Sequence, residues 1–140
     1  FLGRGEDYAA AMEGSLKLKE ISYVHSEAYA AGELKHGTIS LIEPKTFVVA
    51  LATSRAHFDK MLSNVEEVIT RGASVFALAE EGNDTIAKKA DYVFYVPVTE
   101  DIFLPSLAVP PLQLLGYYVS KLKGYDVDKP RNLAKSVTVE

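Results

Sequence analysis

At 140 residues the chain suits one domain with a core of its own, and a composition of 48% apolar and 24% charged residues is that of a globular protein. A net charge of −4 argues against a nucleic-acid partner, because neutralising phosphates takes a basic surface, and no stretch approaches the roughly 20 apolar residues of a membrane span. With no cysteine, a disulfide framework, a thiol nucleophile and a thiolate metal site are excluded, and a reducing cytoplasmic location is expected.

Phe1-Leu2 reads as the end of a strand and Gly3-Arg4-Gly5 as the turn that feeds a helix. Glu6 and Asp7 would repel an anion at that helix start, so the turn does not read as a phosphate loop. The abrupt opening, with neither an initiator methionine nor a signal-peptide pattern, reads as a fragment of a larger protein.

The helix itself, Glu6 to Val24, is the stretch around which the reading turns. At about 100° per residue, Glu13, Lys17 and Glu20 share one ridge, flanked by Met12, Leu16 and Tyr23 on one side and Ala10, Ile21 and Val24 on the other. Ser15, Lys19 and Ser22 gather opposite, so the charges are expected to face the packing side. The plainer reading of Glu13–Lys17 and Lys17–Glu20 is a pair of helix-stabilising contacts at i,i+4 and i,i+3.

Next comes a short helix ending at Gly37, a residue suited to a left-handed C-cap, with His36 in its last turn. Thr46 to Ala52 (TFVVALA) is a continuous apolar strand of the kind buried on both faces of a parallel sheet. Ser54 is expected to cap the following helix, whose stripe of Phe58, Met61, Leu62, Val65, Val68 and Ile69 ends at Arg71-Gly72. His57 lies off that stripe and is assigned to solvent.

Ser74 to Ala79 is the next buried strand, Asn83 or Asp84 caps a short helix, and Asp91 to Val96 is a further strand closed by Pro97. Prolines 105, 110 and 111 place the start of the last helix at about Pro110, with Leu112, Leu115, Tyr118, Val119 and Leu122 on its buried face. The plain reading of the basic tail is a solvated end; if it is ordered, Leu133 and Val137 are candidate anchors that leave Lys135 free to face a cavity. Strands alternating with helices at this spacing specify an α/β fold with a parallel sheet.

Glu20, Lys17, His36 and Lys135 are the candidate chemistry. An amine can condense with a ketone as a Schiff base, a carboxylate can carry a proton between adjacent carbons, and an imidazole can shuttle a hydroxyl proton. Three scattered histidines without HExxH spacing do not make a metal site, and neither a GxSxG elbow nor a Walker loop is present. No cofactor is expected.

The motifs KLKEISY (Lys17 to Tyr23), GELKHG (Gly32 to Gly37) and DKPRNLAKSVTVE (Asp128 to Glu140), with the opening FLGRG, resemble the C-terminal end of the glucosamine-6-phosphate synthase family. The resemblance spans the whole chain. It implies a sugar isomerase (SIS) domain, a five-stranded parallel sheet of the flavodoxin or Rossmann-like kind with helices on both faces. Residues 1–124 would be the second of two SIS subdomains and 125–140 a C-terminal active-site tail.

In that family an N-terminal glutaminase releases ammonia, and the isomerase half converts fructose 6-phosphate to glucosamine 6-phosphate. The resemblance makes Lys135 the Schiff-base residue, Glu20 the base that moves a proton between C1 and C2, and Lys17 an auxiliary proton-transfer group. It makes His36 an aid to ring opening that reaches the site of a neighbouring subunit, which implies a homodimer. Lys129 and Arg131 are expected to fold over the site beside Lys135, and Glu20 is expected to be buried between Leu16 and Tyr23, with Lys17 holding its charge.

One departure is Thr38, where the family commonly has proline. The Ser/Thr-rich sugar-phosphate loop and the glutaminase cysteine are absent, so the implied partners include the preceding SIS subdomain and the glutaminase domain, and the chain alone is expected to be inactive. A sugar-phosphate-sensing SIS module of a regulator and a purely structural SIS copy are the alternatives, and the NLAKS tail discriminates against the first.

Overall fold

The computed structural model describes residues 1–131. Lys135, Leu133 and Val137 therefore lie outside the described residues. Five strands, β1 (Leu2–Gly3), β2 (Tyr29–Ala30), β3 (Phe47–Ala52), β4 (Ser74–Glu80) and β5 (Tyr92–Val96), form one parallel sheet in the order β2-β1-β3-β4-β5. The α-helices are α1 (Glu6–Ser22), α2 (Phe58–Ile69), α3 (Asp84–Ala87) and α4 (Leu104–Leu122).

The apolar run of β3 is continuous because both faces of the sheet are covered. Val48, Ala50 and Ala52 join Met61, Val65 and Val68 of α2 and Ile86 of α3 in one core. Val49 and Leu51 point the other way, to Ala10 and Ala11 of α1 and Ala108 and Leu112 of α4. The stripe expected on α2 is the one observed, and Asn83 caps α3 by accepting the Ile86 N–H at 3.3 Å. Ser54 does not cap α2: a 3-10 turn, Arg55–His57, intervenes, and the Ser54 hydroxyl pairs with His57 Nδ1 at 2.9 Å.

Three expectations are corrected by packing. The face of α1 that meets α4 and the sheet is the small-residue face, with Ala10, Ala11, Gly14, Ser15, Leu18 and Ser22 buried, while Met12 and Leu16 are 46% and 43% exposed. Close approach is the reason: a Cβ on Gly14 would lie 2.7 Å from Leu112 Cδ1. The buried serines are satisfied locally, Ser22 Oγ donating to Leu18 O at 2.6 Å and Ser120 Oγ of α4 to Ile21 O at 2.7 Å.

Second, α4 starts at Leu104 and carries Pro110 and Pro111 inside it. Each interior proline removes a helix hydrogen bond, at roughly 3 kcal/mol, and burial of Leu104, Ala108, Pro111 and Leu112 offsets this. Its expected buried face holds at Leu112, with Leu115 and Val119 half-buried, but not at Tyr118 and Leu122, which are 60% and 88% exposed. Third, Asp101–Leu122 is long and apolar enough to match a membrane span by length and composition, although one of its faces packs on α1.

Strand β2 lay outside the sequence-based elements. Two residues carry no period, and β2 is held by its register against β1 and by the Tyr29 N–H to Phe1 O bond at 2.9 Å.

Candidate functional site

The α1 ridge is a compact charged cluster at the helix surface. Lys17 Nζ lies 2.9 Å from Glu20 Oε2 and 3.5 Å from Glu13 Oε1, with the three side chains between about a quarter and just over a third exposed. The hydrogen bond to Glu20, helped by the charge of Glu13, raises the Lys17 pKa above its ordinary value. The structure thus joins Lys17 to Glu20 through the plain helix pairing, and at the surface rather than in the packing. Leu16 does not wall Glu20 in, being itself exposed.

His36 is exposed at the end of a 3-10 helix, Ala31–His36, on a separate element. Gly37 follows with φ 154° and ψ −56°, so it is not the left-handed cap expected, and Thr38 opens a second 3-10 helix with its hydroxyl donating to Leu34 O at 3.4 Å. None of the crevices at β3–β4, at β1–β3 or beside Tyr125 is lined by Lys17, Glu20 or His36. Among the described residues the ridge lies at the surface, outside these crevices.

Helix α1 ends at Ser22, with Tyr23 as its C-cap, and not at Val24. Tyr23 adopts φ 57° and ψ 21°, and its N–H donates to Lys19 O at 3.1 Å. Its hydroxyl accepts the Arg131 N–H at 2.9 Å, and the Arg131 guanidinium sits 3.9 Å from the ring centroid. Tyr125 meets the same ring edge-on at 4.9 Å. The last described residue is thereby anchored one helical turn beyond Glu20.

Sheet order reverses between β1 and β3, and in parallel α/β sheets the crevice at such a switch point is the usual ligand site. Here an internal carboxylate fills it. Asp7, 3% exposed, accepts the N–H groups of Thr53 at 3.0 Å and Ser54 at 3.1 Å through Oδ2, and the Thr53 hydroxyl through Oδ1. Burial pushes the Asp7 pKa above 3.8, against the pull of the three donors. Gly5, at φ 57°, lets the half-buried His57 ring close over the turn: a Cβ there would lie 2.8 Å from His57 Cε1. His57 is therefore not a solvent residue.

Beside this lies a crevice of about 450 Å³ at the ends of β3 and β4, crossed by a fork in which Arg55 Nε and Nη2 meet Glu80 Oε2 and Oε1 at 2.7 and 2.8 Å. Asp7, Tyr23 and the Arg55–Glu80 pair carry no sequence signal. Their partners are 46 to 108 residues away in all but one case, the pair being 25 apart.

A five-stranded parallel sheet reversing between β1 and β3, with helices on both faces, defines a doubly wound α/β domain of flavodoxin-like strand order. Within that class, the chain belongs to the SIS domain family, whose profile matches residues 1–120. It is 65% identical over all 140 residues to the isomerizing glutamine–fructose-6-phosphate aminotransferase of Clostridium acetobutylicum, of which it covers 23%. The chain thus spans about a quarter of the length of the curated relatives it matches.

Among solved structures, the C-terminal domain of glucosamine-fructose-6-phosphate aminotransferase from Francisella tularensis superposes with a TM-score of 0.82 at 40% identity, covering 91% of this chain and 36% of that one. Glucosamine-6-phosphate deaminase from Thermotoga maritima superposes at 0.76 with 31% identity, over 98% of this chain and 39% of that one.

Proposed function

We propose that this chain is the C-terminal part of the isomerase half of a glutamine:fructose-6-phosphate aminotransferase. In this reading residues 1–124 are the second SIS subdomain and 125–140 the active-site tail. The enzyme makes glucosamine 6-phosphate from fructose 6-phosphate and glutamine-derived ammonia. Lys135 condenses with the ketone as a Schiff base, Glu20 carries the proton between C1 and C2, Lys17 assists that transfer, and His36 helps open the sugar ring from the neighbouring subunit of a homodimer. The compartment is the cytoplasm.

The observation that carries the reading is the seat of Arg131 on Tyr23, one turn beyond Glu20. Four further residues span at most about 14 Å when extended, a length that supports bringing the amine at 135 toward the Lys17–Glu20 pair. Two features support a partner domain. Among the described residues the ridge lies at the surface, and Asp7 already holds the amides that an anionic ligand would need, which supports a sugar phosphate held by a preceding SIS subdomain.

Borohydride reduction of the full-length protein with fructose 6-phosphate, followed by mass mapping, tests the assignment. A hexose-phosphate adduct on Lys135 is expected, and wild-type protein that turns over without any adduct at Lys135 overturns it. Lys135→Arg keeps the charge and is expected to lose product formation while retaining glutamine hydrolysis. Product at the wild-type rate from that variant removes the Schiff-base role.

A further inference from the structure

Tyr23 stands where a helix most often ends in glycine. Its φ of 57° is a left-handed conformation that L side chains rarely adopt, and it is one of two non-glycine residues with positive φ among those described. Strain of this kind persists where surrounding contacts over-determine it, and here they are explicit. The hydroxyl holds the Arg131 backbone, the ring face holds the Arg131 guanidinium, and the ring edge meets Tyr125. A second cation braces the arrangement: Lys123 Nζ donates to Ser22 O at 2.8 Å and lies 5.3 Å from the Tyr125 ring centroid.

Apart from the Lys123–Tyr125 contact, each of these interactions joins the end of α1 to the chain that follows α4, across about a hundred residues of sequence. Packing alone would be served as well by any apolar side chain on a right-handed residue. A ring that binds both the main chain and the side chain of Arg131 fixes the point from which residues 132–140 depart.

We propose that Tyr23 and Arg131 form a clasp that sets where the C-terminal tail leaves the domain, making both of them positioning residues for the amine at 135. This rests on the reading of Lys135 given above. Glu20 and Tyr23 are three residues apart on one helix, so the clasp ties the tail's origin to the same rigid element that carries the proposed base. Displacing reacting groups by about 1 Å can cost on the order of a hundredfold in rate, so loosening the clasp falls on the chemical step rather than on sugar binding.

The test uses the full-length protein with Tyr23→Gly, Tyr23→Phe, Arg131→Ala and Arg131→Lys, measuring kcat and KM for product formation, thermal midpoint, and borohydride-trapped adduct at Lys135. Tyr23→Gly keeps the left-handed turn and removes the ring. It is expected to lower kcat about tenfold or more, to lower adduct yield in parallel, and to leave KM for fructose 6-phosphate and the thermal midpoint close to wild type. Arg131→Ala should match it, and Arg131→Lys should recover part of the loss by keeping a cation on the ring. Tyr23→Phe, which removes the acceptor alone, should lose about two- to tenfold.

Wild-type kcat and adduct yield in both Tyr23→Gly and Arg131→Ala overturn the clasp and leave Lys135 in its role. A fall in activity that only tracks a fall in thermal midpoint overturns it too, in favour of packing. Absence of any adduct on Lys135 in the wild-type protein removes the underlying reading, and the clasp with it.

Discussion

A carboxylate that takes two backbone N–H groups and a hydroxyl in a site closed to water is costly to disturb, because each donor it satisfies would otherwise be buried without a partner. Asp7 is in that position, and Asp7→Ala is expected to destabilise the chain by about 1–3 kcal/mol in urea titration. Its raised pKa also sets a sign. A carboxyl whose folded pKa lies above its unfolded value binds its proton more tightly when folded, so its contribution is fullest below pH 3.8 and declines as pH rises through the folded pKa. The stability difference between wild type and Asp7→Asn should therefore fall with rising pH across that window; a difference that grows would contradict the direction. Glu20 differs in kind, being held by Lys17 alone among its described partners and at the surface. In the full-length protein, Glu20→Gln keeps the shape and removes the base, and is expected to reduce product formation about 10²- to 10⁴-fold with an unchanged thermal midpoint.

At the scale of elements, helix α1 shows how a hydrophobic pattern can mislead. Met12 and Leu16 are the bulkier apolar side chains, so periodicity places them inward, yet the contact with α4 is set by how closely two backbones approach. Gly14 and Gly116 provide that approach, and the serines between them bond to carbonyls at the crossing. Gly14→Val, which places branched carbons where Leu112 already sits, is expected to cost about 1–3 kcal/mol in urea denaturation. Helix α2 is the opposite case. It packs a single sheet face with branched and long side chains, so its stripe in sequence is its buried face in space. Pro110-Pro111 misplaced the start of α4 because local backbone preference is a weak force beside burial of Leu104, Ala108 and Leu112.

For the molecule as a whole, the two faces of the sheet are unequal. The α2 face buries the α2 stripe against the sheet, whereas the other carries the α1 ridge and an α4 surface with Leu114, Tyr118 and Leu122 in solvent. Among the described residues the proposed base lies at the surface and Asp7 fills the switch-point crevice, which supports the proposal that a partner domain completes the site. The isolated 140-residue chain, incubated with fructose 6-phosphate and ammonia, is expected to fold and to form no glucosamine 6-phosphate; product detected by chromatography would overturn the proposed need for a partner domain.

Strands β3 and β4, helix α2 and the Asn83 cap were legible because each is a local pattern: a branched apolar run, a helical stripe, a side chain three residues from the N–H it accepts. So was the Lys17–Glu20 pair, whose partners share one helix turn, and the motifs around them determined the family. Only the folded chain decided which face of α1 is buried, that Asp7 closes the switch point, and that Tyr23 receives Arg131. Those outcomes depend on groups brought together from distant parts of the chain, where the free energy lies in excluded water and close packing that no local period encodes.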